Sequence, residues 1–496
     1  MPASGQKRPV CLANKLAPFA TSAAAPARSL GNTIRKWKFF TPQHLKCHAR
    51  VDWIVFFDIF CQKNECKEWL AMLIQLTVRN WRSVRDEQTF SLVKAKGGEL
   101  TESNTFDPET PATGDLLRSA AIYGPNAAGK SNLINALRTM TEIVIGSANP
   151  QPGNEIPVKP FVLDSRTEKE PTEFEVVFSA KQVRYQYGFS ATKERIMTEW
   201  LIAYPNGRAQ SWFSREWKAE SNSYDWSFGN SLSGQKQVWQ ESTLSNALFL
   251  SIATKLNSKQ LKPVFNWFKY TLRFSSVAGW TPSYTASQCE TMEQKTRVLD
   301  FLRAADLDIK DVDVQSEKFS AKHLPDDLPE DIKKDIIENM KDNIIYDIKT
   351  IHKGAQDQAV AFEFSDESDG TQKLFSYAGP WLNVLETGRV LLIDELHDNL
   401  HPKLVRFLVD LFHNSETNPK NAQLIFTTHE TSILNQNVFR RDQIWFCEKN
   451  KDQATILYPL TDFSPRKGRE NLEDAYLSGR YGALPYVRAI RSTRAG

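Results

Sequence analysis

Apolar and polar positions alternate from Met72 onward, in the segment MLIQLTVRNWRS. Positions 74, 76 and 78 are apolar, whereas positions 75, 77 and 79 are polar, which is the period of a half-buried β-strand. Similar runs, rich in aromatic residues, occur between about 158 and 250, for example Phe174–Phe178 and Tyr185–Phe189. We interpret these runs as antiparallel strands.

Other stretches have the spacing of helices or of buried strands. Helical periodicity occurs around residues 254–270, 292–305 and 329–346. From Val390 onward the chain alternates VLLID, the helical run Leu404–His413 and the strand QLIFTT. Wholly apolar strands are typical of parallel sheets that are covered on both faces. The pattern predicts an α/β core that is divided by a long insertion, with no repeats and no sustained heptads.

The segment GPNAAGKS is the strongest candidate for chemistry. It matches the phosphate-binding loop pattern GxxxxGK[ST], and it lies between a predicted strand, Ala120–Tyr123, and a predicted helix, Ser131–Ile143. Glycine lets the backbone curl so that successive N–H groups face phosphate oxygens, and the N-terminus of the helix adds its dipole. The lysine would bridge the β- and γ-phosphates, and the serine hydroxyl would bind Mg²⁺. The predicted nucleotide-binding residues here are Gly124, Asn126, Gly129, Lys130 and Ser131.

Two carboxylates follow the apolar strand VLLI. Asp394 and Glu395 would lie at the carboxyl edge of a parallel sheet, where open α/β sheets bind ligands. An apolar strand followed by two acids is more often structural when it stands alone. Together with a phosphate-binding loop, it predicts that Asp394 binds Mg²⁺ and that Glu395 polarises the attacking water.

Two weaker motifs distinguish among phosphate-loop families. Ser368 and Gly370, in the segment SDGTQ, precede a predicted helix, Lys373–Leu385, and could bind the γ-phosphate of a partner chain. Taken alone, this segment is most simply a helix cap. His429 ends the strand QLIFTT, where its imidazole could reach the γ-phosphate, although a histidine there is usually an ordinary strand-end residue.

Composition limits the classes of function. No stretch approaches the roughly 18 uncharged apolar residues that a membrane span needs, so we expect no direct membrane contact. The net charge is +3, but residues 1–71 contain 11 Lys/Arg against four Asp/Glu, which leaves −4 for the remainder and no support for nucleic-acid binding from composition. The six cysteines show neither CxxC pairs nor zinc spacing, so we expect free thiols in the cytoplasm.

The order of the motifs GPNAAGKS, ESDGTQ, LLIDELHDNLHP and IFTTHETSIL resembles ABC-type ATPase heads of the SMC/RecF kind. It resembles more closely the bacterial AAA-family ATP-binding proteins related to RloA and AbiLi, which occur in phage-defence loci. NWRS, RRDQIWF and NLEDAYLSGRYGALP are similar to that group too. The likeness runs from about Met72 to the C-terminus, and the signature departs from LSGGQ at Glu367 and Asp369.

This resemblance implies an ABC-type P-loop ATPase head, with a mixed sheet and an antiparallel β-subdomain, split by a β-plus-helical insertion. It implies ATP and Mg²⁺ as cofactors and a homodimer in which each signature caps the nucleotide of the other head. Lys130, Glu395 and the switch histidine His429 are the implied catalytic residues; Ser368 and Gly370 are the implied residues acting across the dimer. The implied function is the sensor or motor ATPase of an anti-phage system, with a separate nuclease or toxin as effector left open.

Three other functions remain open at this stage. The first is an ATP-clamped scaffold with little turnover, and the second is a RecF/SMC-like DNA-repair ATPase, for which a long coiled coil is missing. The third is a nuclease of the kind that adds a C-terminal Toprim domain, for which the 67 residues after His429 are few. A nucleic-acid partner is left open, and a transporter ATPase is least favoured.

Four segments are predicted. Residues 1–71 form a basic extension that is disordered or mis-annotated, with targeting as the alternative. Residues 72–150 and 366–496 form the two halves of the ATPase core, and residues 151–365 form the insertion, antiparallel first and helical afterwards.

Overall fold

The computed structural model describes residues 71–149, 151–275, 279–324, 328–466, 468 and 470–486. The predicted basic extension lies outside these residues, apart from its last position, Ala71, which begins the first strand. The described residues form two units: the larger contains residues 71–280 and 381–486, and the smaller contains residues 281–380.

The strands begin where the alternating pattern begins. In chain order, the strands of the described residues are β1 Ala71–Arg79, β2 Gln88–Ser91, β3 Thr105–Phe106, β4 Leu116–Leu117, β5 Ser119–Tyr123, β6 Thr172–Ala180, β7 Val183–Ala191, β8 Ile196–Tyr204, β9 Gln210–Lys218, β10 Ser223–Phe228, β11 Leu272–Ser275, β12 Asp311–Lys318, β13 Ile344–Lys353, β14 Ala359–Glu363, β15 Val390–Ile393, β16 Gln423–Thr427, β17 Ile444–Lys449 and β18 Thr455–Pro459.

The helices vary from single turns to five turns. In chain order, the α-helices of the described residues are α1 Thr101–Asn104, α2 Lys130–Gly146, α3 Lys236–Glu241, α4 Phe249–Lys255, α5 Lys262–Asn266, α6 Pro282–Gln288, α7 Met292–Ala304, α8 Glu330–Met340, α9 Asp369–Thr387, α10 Pro402–His413 and α11 Leu472–Leu477. Among these helices, none is both long enough and apolar enough to cross a bilayer.

A seven-stranded antiparallel sheet forms one layer of the larger unit. Its order is β10-β9-β8-β7-β6-β1-β2, which confirms the antiparallel strands predicted around Phe174–Phe178 and Tyr185–Phe189. Alternate residues of β6 are fully buried, including Phe174, Val176 and Phe178. One face of this sheet therefore supplies much of the apolar core.

A six-stranded mixed sheet forms the second layer, in the order β11-β15-β16-β5-β17-β18. All neighbouring pairs are parallel except β17 with β18. Helix α2, predicted from Ser131, buries Leu133, Leu137 and Met140 in the same core as the antiparallel sheet. The edge strand β11 comes from within residues 151–365, and it follows a π-helical turn at Trp267–Thr271.

The smaller unit is built around the antiparallel sheet β12-β13-β14, together with α6, α7 and α8. The helix predicted over 292–305 is confirmed as α7. The helix predicted over 329–346 is too long, because α8 ends at Met340 and β13 begins at Ile344. The apolar pair Ile344–Ile345 fits either period, and pairing with β12 decides for the strand.

Candidate active site

The parallel register of the mixed sheet brings the candidate residues to one edge. Ile393 in β15 pairs with Phe426 in β16, so the next residues, Asp394 and Thr427, lie side by side. Thr427 also pairs with Ile122 in β5, one residue before that strand ends. Three segments therefore meet at the carboxyl edge of the sheet: the loop after β5, the carboxylates after β15 and the histidine after β16. This edge is where open α/β sheets bind their ligands.

The loop between β5 and α2 depends on its glycines. Gly124, Ala127 and Gly129 all have positive φ, at 151°, 63° and 111°. A Cβ on Gly124 would overlap the carbonyl oxygen of Cys447, and one on Gly129 would overlap the hydroxyl of Thr455. These two positions therefore require glycine for space as well as for φ.

Side chains from outside the loop fix its far side. The carbonyl of Ala128 accepts a hydrogen bond from Thr455 Oγ1 at 2.7 Å and a weak one from Cys447 Sγ at 3.4 Å. Thr455 Oγ1 also lies 2.8 Å from Ser83 Oγ, which accepts from Asn132 Nδ2 at 2.7 Å. The segment NWRS and the strands β17 and β18 thus hold the loop in shape, a role that the sequence motif did not reveal.

Lys130 lies in the mouth of the loop. Its Nζ donates to the carbonyl oxygens of Gly124 at 2.8 Å and Pro125 at 3.1 Å, and it lies 3.0 Å from His429 Nε2. Burial lowers the pKa of Lys130, whereas the negative charges of Glu395 and Asp394 oppose that shift. The predicted residues Lys130 and His429 are therefore in direct contact.

His429 is neutral at physiological pH. Burial, followed by the proximity of the Lys130 ammonium and the His397 imidazole, lowers the pKa of His429 to about 4. Its Nε2 can therefore accept the hydrogen bond from the Lys130 ammonium, which leaves the ring proton on Nδ1.

Thr427 joins the two carboxylate residues. Its hydroxyl donates to Asp394 Oδ1 at 2.7 Å and accepts from the backbone N–H of Glu395 at 2.8 Å. Glu395 itself has a left-handed φ of 54°, so the turn after β15 is strained at that residue. Thr427 is fully buried, and the sequence analysis did not single it out. Its place in a parallel sheet beside the acidic strand was the available signal.

His397 is a second residue of this edge that no sequence motif marks. Its Nδ1 accepts a hydrogen bond from the backbone N–H of His429 at 3.4 Å, and the two rings lie 5.4 Å apart and nearly perpendicular. The backbone N–H of Thr428 bonds to the carbonyl of Ile122 at 3.1 Å. The loop that carries His429 is thus tied to strand β5 and to the segment that follows β15.

The oxygen donors at this edge suit a magnesium ion that is shared with a nucleotide. Asp394 keeps Oδ2 for a ligand, because Thr427 occupies Oδ1, and Ser131 follows Lys130 in the first turn of α2. Among the described residues, no group of three or more His, Cys, Asp or Glu side chains could hold a metal. A hydroxyl and one carboxylate, completed by phosphate oxygens and water, is the arrangement that Mg²⁺ adopts at nucleotide sites.

Ser368 and Gly370 belong to the smaller unit. Ser368 Oγ accepts a hydrogen bond from the backbone N–H of Thr371 at 3.2 Å, so Ser368 caps helix α9. Ser368 is exposed to solvent. Gly370 lies in the first turn of that helix, and the predicted helical run Lys373–Leu385 lies within it. The local structure is thus an exposed helix N-terminus.

The strand–loop–helix cradle and the carboxylate edge define a P-loop NTPase. Residues 119–435 match the family model described as "AAA domain, putative AbiEii toxin, Type IV TA system". This match spans more than half of the chain, so the chain belongs to that family. A comparison with curated proteins gives no match.

Several solved structures show similarity to this chain. The SMC head domain from Thermotoga maritima is 13% identical with a TM-score of 0.34, and the match covers 78% of this chain and 98% of that one. The recombination mediator protein RecF is 12% identical with a TM-score of 0.30, over 78% and 98% of the two chains. The protein cbiO1 from Clostridium perfringens is 10% identical with a TM-score of 0.29, over 84% and 96%. The predicted α/β fold class, with a mixed sheet and an antiparallel sheet, is confirmed by the strand orders of the described residues.

Proposed function

We propose that this protein hydrolyses ATP with Mg²⁺ at the carboxyl edge of its mixed sheet. The observation that carries the proposal is the direct contact between Lys130 Nζ and His429 Nε2, 3.0 Å apart, beside the Asp394–Glu395 pair. A cation, a neutral imidazole and two carboxylates around one glycine loop are the groups that phosphoryl transfer uses.

Each residue has a defined task in this proposal. The loop N–H groups and Lys130 bind the phosphates, which requires Lys130 to exchange its bonds with the carbonyls of Gly124 and Pro125 for phosphate oxygens. Ser131 and Asp394 would hold Mg²⁺, which would neutralise charge on the phosphates.

Glu395 and His429 act on the γ-phosphate side. Glu395 orients the attacking water and accepts its proton. His429, released from Lys130, donates a ring N–H to an oxygen of the γ-phosphate.

We further propose that two chains associate head to head in the cytoplasm, with Ser368 and Gly370 of each chain contacting the γ-phosphate bound by the other. Release of the γ-phosphate would then separate the heads, because ATP binds the associated state better than ADP does. The support is the exposed N-terminus of α9, which offers backbone N–H groups to an anion.

The biological role that we propose is in anti-phage defence, in the manner of the RloA- and AbiLi-related ATPases, with a separate nuclease or toxin as effector. The support is the motif order together with the family description, which names a toxin of a type IV toxin–antitoxin system. Plaque counts on cells that carry the locus test it: wild type should restrict plating, whereas Lys130→Ala should not. Equal plating in both would remove the defence role.

The enzymatic proposal is tested by steady-state phosphate release from the full chain. Wild type should show Mg²⁺-dependent turnover, and both Lys130→Ala and Glu395→Gln should lower kcat at least about 100-fold, the usual effect of losing a general base or a phosphate-binding charge. Absence of turnover in wild type, with association that still depends on ATP, would favour the ATP-clamped scaffold instead.

A further inference from the structure

The signature segment carries a glutamate where the LSGGQ pattern has leucine. That residue, Glu367, directly precedes Ser368. Its side chain is only 12% exposed, and its carboxylate is bound by two side chains of strand β13. Oε1 accepts from Thr350 Oγ1, and it lies 2.6 Å from His352 Nε2.

The partners of Glu367 are set by the period of β13. Alternate residues face the same side of a strand, so Thr350 and His352 continue the face on which Tyr346 and Ile348 are buried. Thr350 is fully buried, and a buried hydroxyl without a partner is costly. The Glu367 carboxylate supplies that partner, and without it Thr350 Oγ1 and His352 Nε2 would both lose this hydrogen-bond acceptor.

The backbone of Glu367 is fixed as well. Its carbonyl oxygen accepts from Gln372 Nε2 at 2.8 Å, and its N–H bonds to the carbonyl of Phe364 at 3.3 Å. The next residue, Ser368, caps helix α9 through the N–H of Thr371. The side chain and the backbone of Glu367 are thus both held immediately before the exposed serine.

We infer that Thr350, His352 and Glu367 form an anchor that positions Ser368 and the N-terminus of α9 for the γ-phosphate of a second chain. This inference rests on the proposed function. The leucine of the LSGGQ pattern could hold this position only through apolar packing, whereas the carboxylate holds it through two directed hydrogen bonds. Directed bonds fix orientation more narrowly than packing does, and a displacement of about 1 Å at a reacting group costs about 100-fold in rate.

The test uses two matched pairs of substitutions in the full chain, each in a Glu395→Gln background so that ATP is retained. Glu367→Leu removes the acceptor, whereas Glu367→Gln keeps an amide oxygen in its place. His352→Leu removes the donor, whereas His352→Gln keeps an N–H at a similar reach. Three quantities are measured for each: ATP affinity at a protein concentration where the chain is monomeric, ATP-dependent dimerisation by sedimentation, and the midpoint of thermal unfolding.

The anchor predicts that ATP affinity stays within twofold in all four variants, because the phosphate-binding loop is untouched. Both leucine variants should raise the dimer Kd at least about tenfold, and both glutamine variants should stay within about threefold of the parent. A purely structural role predicts a different result: the leucine variants would unfold at a lower temperature but dimerise with unchanged Kd, which would overturn the anchor.

Two further outcomes are decisive. If a leucine variant fails to fold, Thr350→Val against Thr350→Ser replaces it, with the valine variant alone expected to weaken dimerisation. If the Glu395→Gln parent binds ATP without dimerising, the proposed dimer is wrong, and the anchor is overturned with it. If the parent dimerises and the leucine variants have the same dimer Kd, only the anchor is overturned.

Discussion

At the scale of single residues, one hydroxyl outside the motifs positions both motif carboxylate residues. Thr427 Oγ1 bonds at once to Asp394 Oδ1 and to the backbone N–H of Glu395. It thereby selects the carboxylate oxygen that is left for a metal, and it braces a glutamate whose φ is left-handed. Outer-shell partners of this kind orient the groups that act on a ligand.

Thr427→Val should therefore impair hydrolysis without unfolding the chain. Valine matches threonine in shape but leaves Asp394 Oδ1 and the Glu395 N–H unpaired. We expect kcat to fall by about 10- to 100-fold, and the Mg²⁺ concentration for half-maximal rate to rise by a similar factor. Thr427→Ser, which retains the hydroxyl, is the control in the same Mg²⁺ titration. Equal activity of the valine and serine variants would show that the Thr427 hydroxyl does not contribute to hydrolysis.

Sequence predicted the residues of this site better than their partners. GxxxxGK[ST] and the acidic pair are recognisable because each is contiguous in sequence and has a fixed chemistry. Thr427 and His397 are recognised only through pairing across strands that are distant in sequence, such as Ile393 with Phe426. Glu367 stood out only as a departure from LSGGQ, because its partners Thr350 and His352 lie 17 and 15 residues away in sequence and no motif marks them.

At the scale of elements, a buried histidine joins helix α10 to the start of β5. His413 Nε2 lies 2.7 Å from Ser119 Oγ, and Gln443 is close to both. Burial, followed by the positive charges of Arg118 and Arg406, lowers the pKa of His413 to about 3. The folded chain therefore holds this ring neutral.

Acid should destabilise the fold through this histidine. In the unfolded chain the imidazole takes up a proton below about pH 6.5, whereas in the folded chain it does so only near pH 3. The contribution of His413 to the free energy of unfolding is therefore complete above pH 6.5. It is lost as the pH falls towards 3, by about 1.4 kcal/mol per pH unit. Denaturant unfolding at pH 7 and pH 5 gives the difference in the free energy of unfolding between the two pH values. His413→Gln should reduce this difference. An unchanged difference would show that His413 is not its source.

A second element-scale feature is the ion pair inside the antiparallel sheet. Glu199 and Arg215 are both fully buried, and Arg215 Nη2 lies 2.9 Å from Glu199 Oε2. Glu199 also accepts the backbone N–H groups of Phe249 and Leu250 at 2.8 and 3.0 Å, so it fixes the start of α4.

Removal of that charge should be costly to stability. Glu199→Gln leaves the Arg215 guanidinium buried without a counter-charge, and we expect the free energy of unfolding to fall by about 3–5 kcal/mol. Turnover per folded molecule should stay close to wild type, because the pair does not belong to the phosphate-binding edge. A loss below about 1 kcal/mol in denaturant unfolding would show that the pair adds little.

The sequence predicted most elements correctly and some boundaries wrongly. Strand β1 follows from the alternation of apolar and polar residues, and strands β5, β15 and β16 follow from short apolar runs. Helices α2 and α10 were also predicted at the places where they occur. The region 254–270 was expected to be helical, and it is divided into the end of α4, helix α5 and a π-helical turn. Strand β11 is only four residues long and is defined by its parallel pairing with β15, which no local pattern reveals.

At the scale of the whole molecule, the proposed dimer predicts complementation between two inactive chains. Lys130→Ala disables the phosphate-binding loop, and Ser368→Arg blocks the signature. Each homodimer should be inactive, but a mixed dimer contains one site with an intact loop and an intact signature. Mixing equal amounts should restore turnover to at most about half of wild type, because each mixed dimer has one intact site of two and neither homodimer has any. No recovery in phosphate release would contradict action across the dimer.

We propose that Glu395 drives hydrolysis of an ATP that holds two chains together. The most direct measurement is the nucleotide retained by the full-length Glu395→Gln protein after incubation with Mg²⁺ and ATP, with light scattering on the same sample. We predict about one ATP per chain, little ADP and the mass of a dimer, while wild type under the same conditions releases ADP and returns to the monomer. Glu395→Gln that accumulates ADP at the wild-type rate, or that binds ATP as a monomer, would contradict the account.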